Sequence, residues 1–192
     1  MIFRGLGLLA LLLFYGVYFG KMAMQKKQGI QIDHIAKGGK RGRLFRVEMT
    51  MKAATCAAPV AELISVFTGI SLLPVFARYT GVLAAFAGVI CFAVSVYTMR
   101  DSWRAGIPEH DKTEMVTTGI YSISRNPAFL GFDLVYLGFL LMFFNPVLLV
   151  FTIFAVVMLH LQILQEEKFM ADTFGSEYEK YRKHVFRYIG SK

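Results

Sequence analysis

The chain has 192 residues, of which 56% are hydrophobic and only 18% charged, with a formal net charge of +8. A soluble domain carries about 25% charged residues, so this composition and a mean hydropathy of +0.52 point to a polytopic membrane protein. No CxxC, HExxH, P-loop or GxGxxG occurs, and Cys56 and Cys91 both lie in apolar stretches, which argues against a disulfide framework, a metal site and a Rossmann or phosphate-cradle enzyme.

Residues 5–20 form the first apolar run, with Arg4 before it and Lys21 after it. Tyr15, Tyr18 and Phe19 crowd its end where a signal peptide would have a small-residue cleavage site, so it reads as an uncleaved span with aromatics at the interface. Residues 21–46 carry eight lysines and arginines against one acid, Asp33. The GGKRGR core is too glycine-rich for a stable helix, and such a loop reads as a cytoplasmic anchor on anionic lipid rather than a nucleic-acid site. The second span is expected over 53–77, interrupted by Pro59, Glu62 and Pro74. A carboxylate at that depth faces protein or water, so Glu62 serves a site, has a structural partner or simply lies close to the membrane surface. The third span, 79–99, presents Gly81, Ala84, Ala85, Gly88 and Ala93 as a small-residue face for close packing.

Residues 100–118 are polar and mixed in charge, with Trp103, Arg104, His110, Asp111 and Lys112 close together. The stretch TTGIYSISRNPAFLG, Thr117 to Gly131, then sets a turn, Arg125 and an Asn-Pro pair before the fourth span, 128–145. Proline disfavours helix in the residue before it, so Asn126-Pro127 marks an interrupted helix start whose N–H groups want a polar cavity. Asn145-Pro146 makes a tight turn into the fifth span, 146–165. This hairpin brings Arg125–Phe129 beside a second polar cluster, Gln162–Glu167. After Glu167 an amphipathic helix is broken by Gly175 and restarted by a capping box of Ser176 and Glu179. Tyr178, Tyr181, Val185 and Tyr188 recur on one face of this tail, which either lies against the membrane or covers the pocket. With the N-terminus outside, 19 of the 21 lysines and arginines fall on the cytoplasmic side, which accounts for the net charge without nucleic acid.

The sequence therefore predicts an all-α integral membrane protein of about five transmembrane helices, with a C-terminal helical hairpin and a cytoplasmic amphipathic tail helix. Residues 1–99 would form a three-span region with the basic loop 21–46, and residues 100–192 the catalytic region. Arg125, Arg104 and Glu167 are the candidate catalytic groups. Glu167 pairs equally well with Lys168 or solvent on this reading.

Gly119-Ile120-Tyr121, Arg125-Asn126-Pro127-Ala128-Phe129-Leu130-Gly131, Glu166-Glu167 and FGSEYEKYRKHV together resemble the C-terminal half of the isoprenylcysteine carboxyl methyltransferase and phospholipid methyltransferase superfamily, in its bacterial-type members. The resemblance covers about residues 100–188. It implies an inner-membrane methyltransferase that uses S-adenosylmethionine without a Rossmann domain and acts on a lipid or lipophilic small molecule. Cofactor contacts are then implied at Thr113, Glu114, Met115, Val116, Tyr121, Asn126, Pro127, Ala128, Phe129 and Glu166. Three positions depart from the pattern. Asn126 replaces a histidine, Phe129 replaces a tyrosine, and Gln162 stands where prenylcysteine enzymes have an arginine near the substrate carboxylate. The alternatives are a sterol-type NADPH reductase with a similar hairpin and tail, and a non-catalytic membrane protein of the same fold.

Overall fold

The computed structural model describes residues 1–107 and 114–192 and is built of helices. Five carry the architecture: α1 (Ile2–Lys27), α2 (Gly42–Thr68), α3 (Val75–Thr98), α4 (Pro127–Met142) and α5 (Pro146–His184). Four of them, α1, α2, α3 and α5, are long and apolar enough to cross a membrane. At 16 residues α4 is about 24 Å long, short of a hydrocarbon core of about 30 Å. The chain is an integral membrane protein. Large apolar side chains such as Leu12, Phe67, Leu83 and Val150 stay on the outer surface, as lipid-facing residues do.

The boundaries of α2 differ from expectation at both ends. It begins at Gly42, inside the run read as a loop, and ends at Thr68 rather than at residue 77. Low intrinsic propensity at the start is overridden by burial: Val47, Glu48 and Met51 all pack inward. At the end Gly69 takes a left-handed conformation as the cap (φ 67°), and Pro74, extended at ψ 159°, leads into α3. Pro59 is accommodated within the helix.

The third span's small-residue face is used within the molecule. Gly88 and Gly138 lie so close to the opposing helix that a Cβ would come 2.7 Å from Gly131 O and 2.5 Å from Ala85 N respectively. α3 and α4 are thereby seated backbone to backbone. α2 packs on α5, and α1 on α3. The Asn145 turn forms as expected, with the Asn145 side chain accepting from Leu148 N at 2.9 Å and donating to Ser65 Oγ at 3.0 Å.

α5 has 39 residues, about 58 Å, so roughly its second half projects beyond the bilayer. Gly175 breaks it at φ 50°, ψ −122°. The capping box does not form as read: Glu179 accepts from Arg182 at 2.8 Å instead of turning back to the helix start. Of the aromatics expected at the interface, only Phe19 faces outward; Tyr18 stacks edge-on against Trp103 at 5.7 Å and Tyr15 against Phe14 at 5.3 Å.

Candidate functional site

The polar feet of α4 and α5 meet, as the hairpin requires. Glu167 is the hub. Its Oε1 accepts from Arg125 at 2.9 Å, Asn126 Nδ2 at 3.1 Å and Arg187 Nε at 3.0 Å, and its Oε2 accepts from Arg187 at 2.8 Å. The tail closes over this junction. Arg125 N donates to Phe186 O at 3.0 Å, Gly190 N to Ile123 O at 2.7 Å, and the Tyr181 hydroxyl to Tyr121 O at 2.6 Å. Tyr178 and Val185 are buried beneath it, so the tail covers the pocket rather than lying on lipid. The Glu167 hydrogen bond, then its charge, raises the pKa of Arg187 above its ordinary value.

Behind this junction is a cavity of about 420 Å³. Its polar end holds Glu166, Gln162, Arg125, Asn126 and Tyr121. Its apolar lining, Tyr18, Met51, Phe92, Phe129, Phe132 and Leu159, comes from all five helices. Gln162 is fully buried; its Nε2 donates to Glu166 Oε1 at 3.1 Å while its own Oε1 has no partner among the described residues. Arg125 Nε is also buried without a partner among the described residues. α4 begins at Pro127, and its first helical bond is Leu130 N to Asn126 O at 3.1 Å. The Ala128 and Phe129 amides therefore precede the helical ladder, and both residues line the cavity. Burial, then the neighbouring Tyr181 and Glu166, pushes the Tyr121 hydroxyl far up, so it remains neutral.

The residues singled out from the sequence fall as follows. Arg125, Arg104, Glu167, Glu114, Val116, Tyr121, Asn126, Ala128, Phe129 and Glu166 line the cavity. Arg104 donates to Asp101 O and Trp103 O from the loop. Met115 lies in an outer groove along α3 with Thr117 and Thr118. Pro127 is buried and its carbonyl accepts from Cys91 Sγ at 3.2 Å. Thr113 lies outside the described residues, as do His110, Asp111 and Lys112. Glu62 is buried beside none of these: it does not line the cavity, and both its oxygens lack a partner among the described residues.

The sequence reading missed the part played by the basic loop. Residues 28–41 fold over the cavity and pair with residues 103–107, through His34 N to Ala105 O at 2.8 Å and Ala105 N to Ile32 O at 3.0 Å. Asp33 and Ile35 line the cavity from there. Partial burial raises the Asp33 carboxyl, but the Lys37 hydrogen bond and the Lys52 and Lys37 charges outweigh it and hold its pKa below the usual range. Glu48 anchors this loop and Arg187 anchors the tail. A usable sign for Glu48 was its isolation, since it is the only acid between residues 34 and 61.

A sequence model of the phospholipid methyltransferase family matches residues 76–177. The chain is 33% identical over 115 residues to a protein-S-isoprenylcysteine O-methyltransferase of Saccharomyces cerevisiae, covering 59% of this chain and 44% of that protein. It is 31% identical over 113 residues to probable protein-S-isoprenylcysteine O-methyltransferases of Oryza sativa subspecies indica and japonica, covering 57% of this chain and 59% of each. The match thus spans about half the length of these relatives.

Proposed function

We propose, from the premise that this chain belongs to the phospholipid methyltransferase family, that it is a membrane methyltransferase using S-adenosylmethionine on a lipid or lipophilic acceptor. The observation that carries this reading is the pair of complementary buried orphans at the polar end of one cavity. Gln162 Oε1 wants a donor and Arg125 Nε wants an acceptor. A ligand with an ammonium and a carboxylate on one carbon offers the donor and the acceptor that these two side chains lack.

S-adenosylmethionine, when bound, would supply a methyl group made electrophilic by its positively charged sulfur. Glu166 with Gln162 Oε1 takes the ammonium group. Arg125 Nε and the Ala128 and Phe129 amides take the carboxylate, at the end of α4 where unpaired N–H groups favour an anion. Phe129 and the neutral Tyr121 give the positive sulfur a partly dry, electron-rich surround. The apolar walls contributed by the five helices would hold the acceptor's body, and positioning of this kind supplies much of the rate.

The yeast and rice relatives are named for methylating isoprenylcysteine. Here α5 offers the neutral Gln162 where the family resemblance would put an arginine, so we infer an acceptor whose reacting end needs no cation from α5. The N-terminus and the 70–73 turn lie on the outer side and the cavity on the cytoplasmic side.

Titration calorimetry of the detergent-purified protein with S-adenosylmethionine, beside NADPH, tests the reading. Micromolar binding of the first is expected. Glu166→Ala should weaken it by about 1.5–3 kcal/mol, the scale of a charge-assisted hydrogen bond. Binding of NADPH alone would transfer the protein to the reductase class, and unchanged affinity in the variant would remove Glu166 from the site.

A further inference from the structure

The family match begins at residue 76, yet the cavity's cytoplasmic roof is made partly by residues before it. Glu48, in the second turn of α2, is fully buried together with Lys40. Its two oxygens take four hydrogen bonds from three donor groups. Lys40 Nζ reaches Oε1 at 2.8 Å and Oε2 at 2.7 Å, Ala36 N reaches Oε2 at 2.6 Å, and Ile107 N reaches Oε1 at 3.2 Å. Lys40 Nζ also donates to His34 O. One carboxylate thus joins two chain segments to α2, segments that carry Asp33, Ile35, Trp103 and Arg104 into the cavity wall. The segments touch so closely that a Cβ on Gly106, at φ 84°, would lie 2.7 Å from Ile35 N.

We propose that Glu48 is a positioning residue. By holding Ala36, Lys40 and Ile107 it fixes a roof across the cofactor end of the cavity, and the closed roof retains bound S-adenosylmethionine. This rests on the methyltransferase reading for the identity of the ligand, though not for the roof itself. A buried acid that merely stabilised the fold would change the amount of folded protein and leave the affinity of that fraction unchanged. A roof anchor changes the affinity, because whatever closure contributes to binding, binding returns to closure.

Two charge-balanced double variants separate these roles. Lys40→Met with Glu48→Gln keeps one oxygen, an acceptor for one of the two roof amides, Ala36 N or Ile107 N. Lys40→Met with Glu48→Leu removes it, and neither leaves a buried charge unpaired. Calorimetry with S-adenosylmethionine on the folded fraction should give the Leu variant a dissociation constant about tenfold or more higher, while the Gln variant stays within about threefold of the parent. Hydrogen exchange of the amides at 34–36 and 105–107 should be faster in the Leu variant without any ligand. Equal affinity in both variants overturns the proposal, whatever the exchange rates. Should either variant fail to fold, the unaltered protein decides: exchange at those amides must slow when S-adenosylmethionine binds, and unchanged exchange overturns the proposal. If the unaltered protein binds no S-adenosylmethionine, the methyltransferase reading falls by itself, and the roof then stands or falls on ligand-free exchange in the two variants, with equal rates refuting it.

Discussion

Glu166 and Glu167 are neighbours in sequence with different surroundings, because successive residues on a helix point about 100° apart. Glu167 turns to Arg125, Asn126 and Arg187, while Glu166 meets Gln162 at the cavity. The Arg125 side chain is only 8% exposed, so removing its carboxylate leaves a charge stranded. Glu167→Ala should therefore cost about 3–5 kcal/mol of stability, the scale for breaking a buried ion pair. Denaturant or thermal unfolding in detergent measures it, and an unchanged midpoint would show the network to be dispensable. Glu166→Ala should behave oppositely, weakening ligand binding with little change in stability. At this scale the sequence exposed the cluster of polar residues at the foot of the hairpin. It assigned Glu166 to the cofactor and Glu167 to catalysis without showing the ion pairs of Glu167, because Arg187 comes 20 residues later and reaches it only through the folded tail.

Among the elements, the seam between α3 and α4 has least tolerance. The atoms that would meet a side chain on Gly138 are backbone: Ala85 N at 2.5 Å and Gly81 O at 2.7 Å. Backbone cannot change rotamer to make room, so Gly138→Val must push the two helices apart. Its cost should reach or exceed the about 1–3 kcal/mol of ordinary overpacking. The same separation would shift Ala128 and Phe129 at the start of α4. A lower unfolding temperature together with weaker S-adenosylmethionine binding is expected; a variant with parental values in both would refute close packing as the support of the site. The small-residue stripe on the third span was readable, and so was the turn at Asn145. The true start of α2 was not. A glycine-rich basic run scores poorly as helix, and it is stabilised by burial of Val47, Glu48 and Met51 against residues remote in sequence.

For the molecule as a whole, the two ends of the bundle differ in charge and in how charge is handled. At one end Arg4 donates to Thr68 O and Arg78 to Met142 O, each at 2.8 Å, so both cations sit on carbonyls at or next to helix C-termini, where positive charge is favoured. The remaining lysines and arginines among the described residues belong to the segments at the end that holds the cavity. In sealed vesicles of known sidedness, with Cys56 and Cys91 replaced, a cysteine at Ser71 should react with an impermeant thiol reagent from outside. A cysteine at Ser191 should react only after permeabilisation; the reverse pattern would invert the proposed orientation. The amino-acid sequence by itself determined the apolar runs that make membrane-length helices, the charge asymmetry between the two ends, and the motif order Tyr121, Arg125–Gly131, Glu166 that marks the family. These are local or cumulative properties, written in composition and spacing. Only the tertiary structure decided that Glu167 is taken up by Arg125 and Arg187 while Glu166 is not, that the tail closes over the cavity, and that residues 28–41 and Glu48 roof it. Each of these depends on one buried polar group finding partners far along the chain, as Glu48 finds Ile107 across 59 positions. Such partners are chosen by the need to leave no buried charge or hydrogen-bonding group unpaired, a requirement that acts only once the helices have packed.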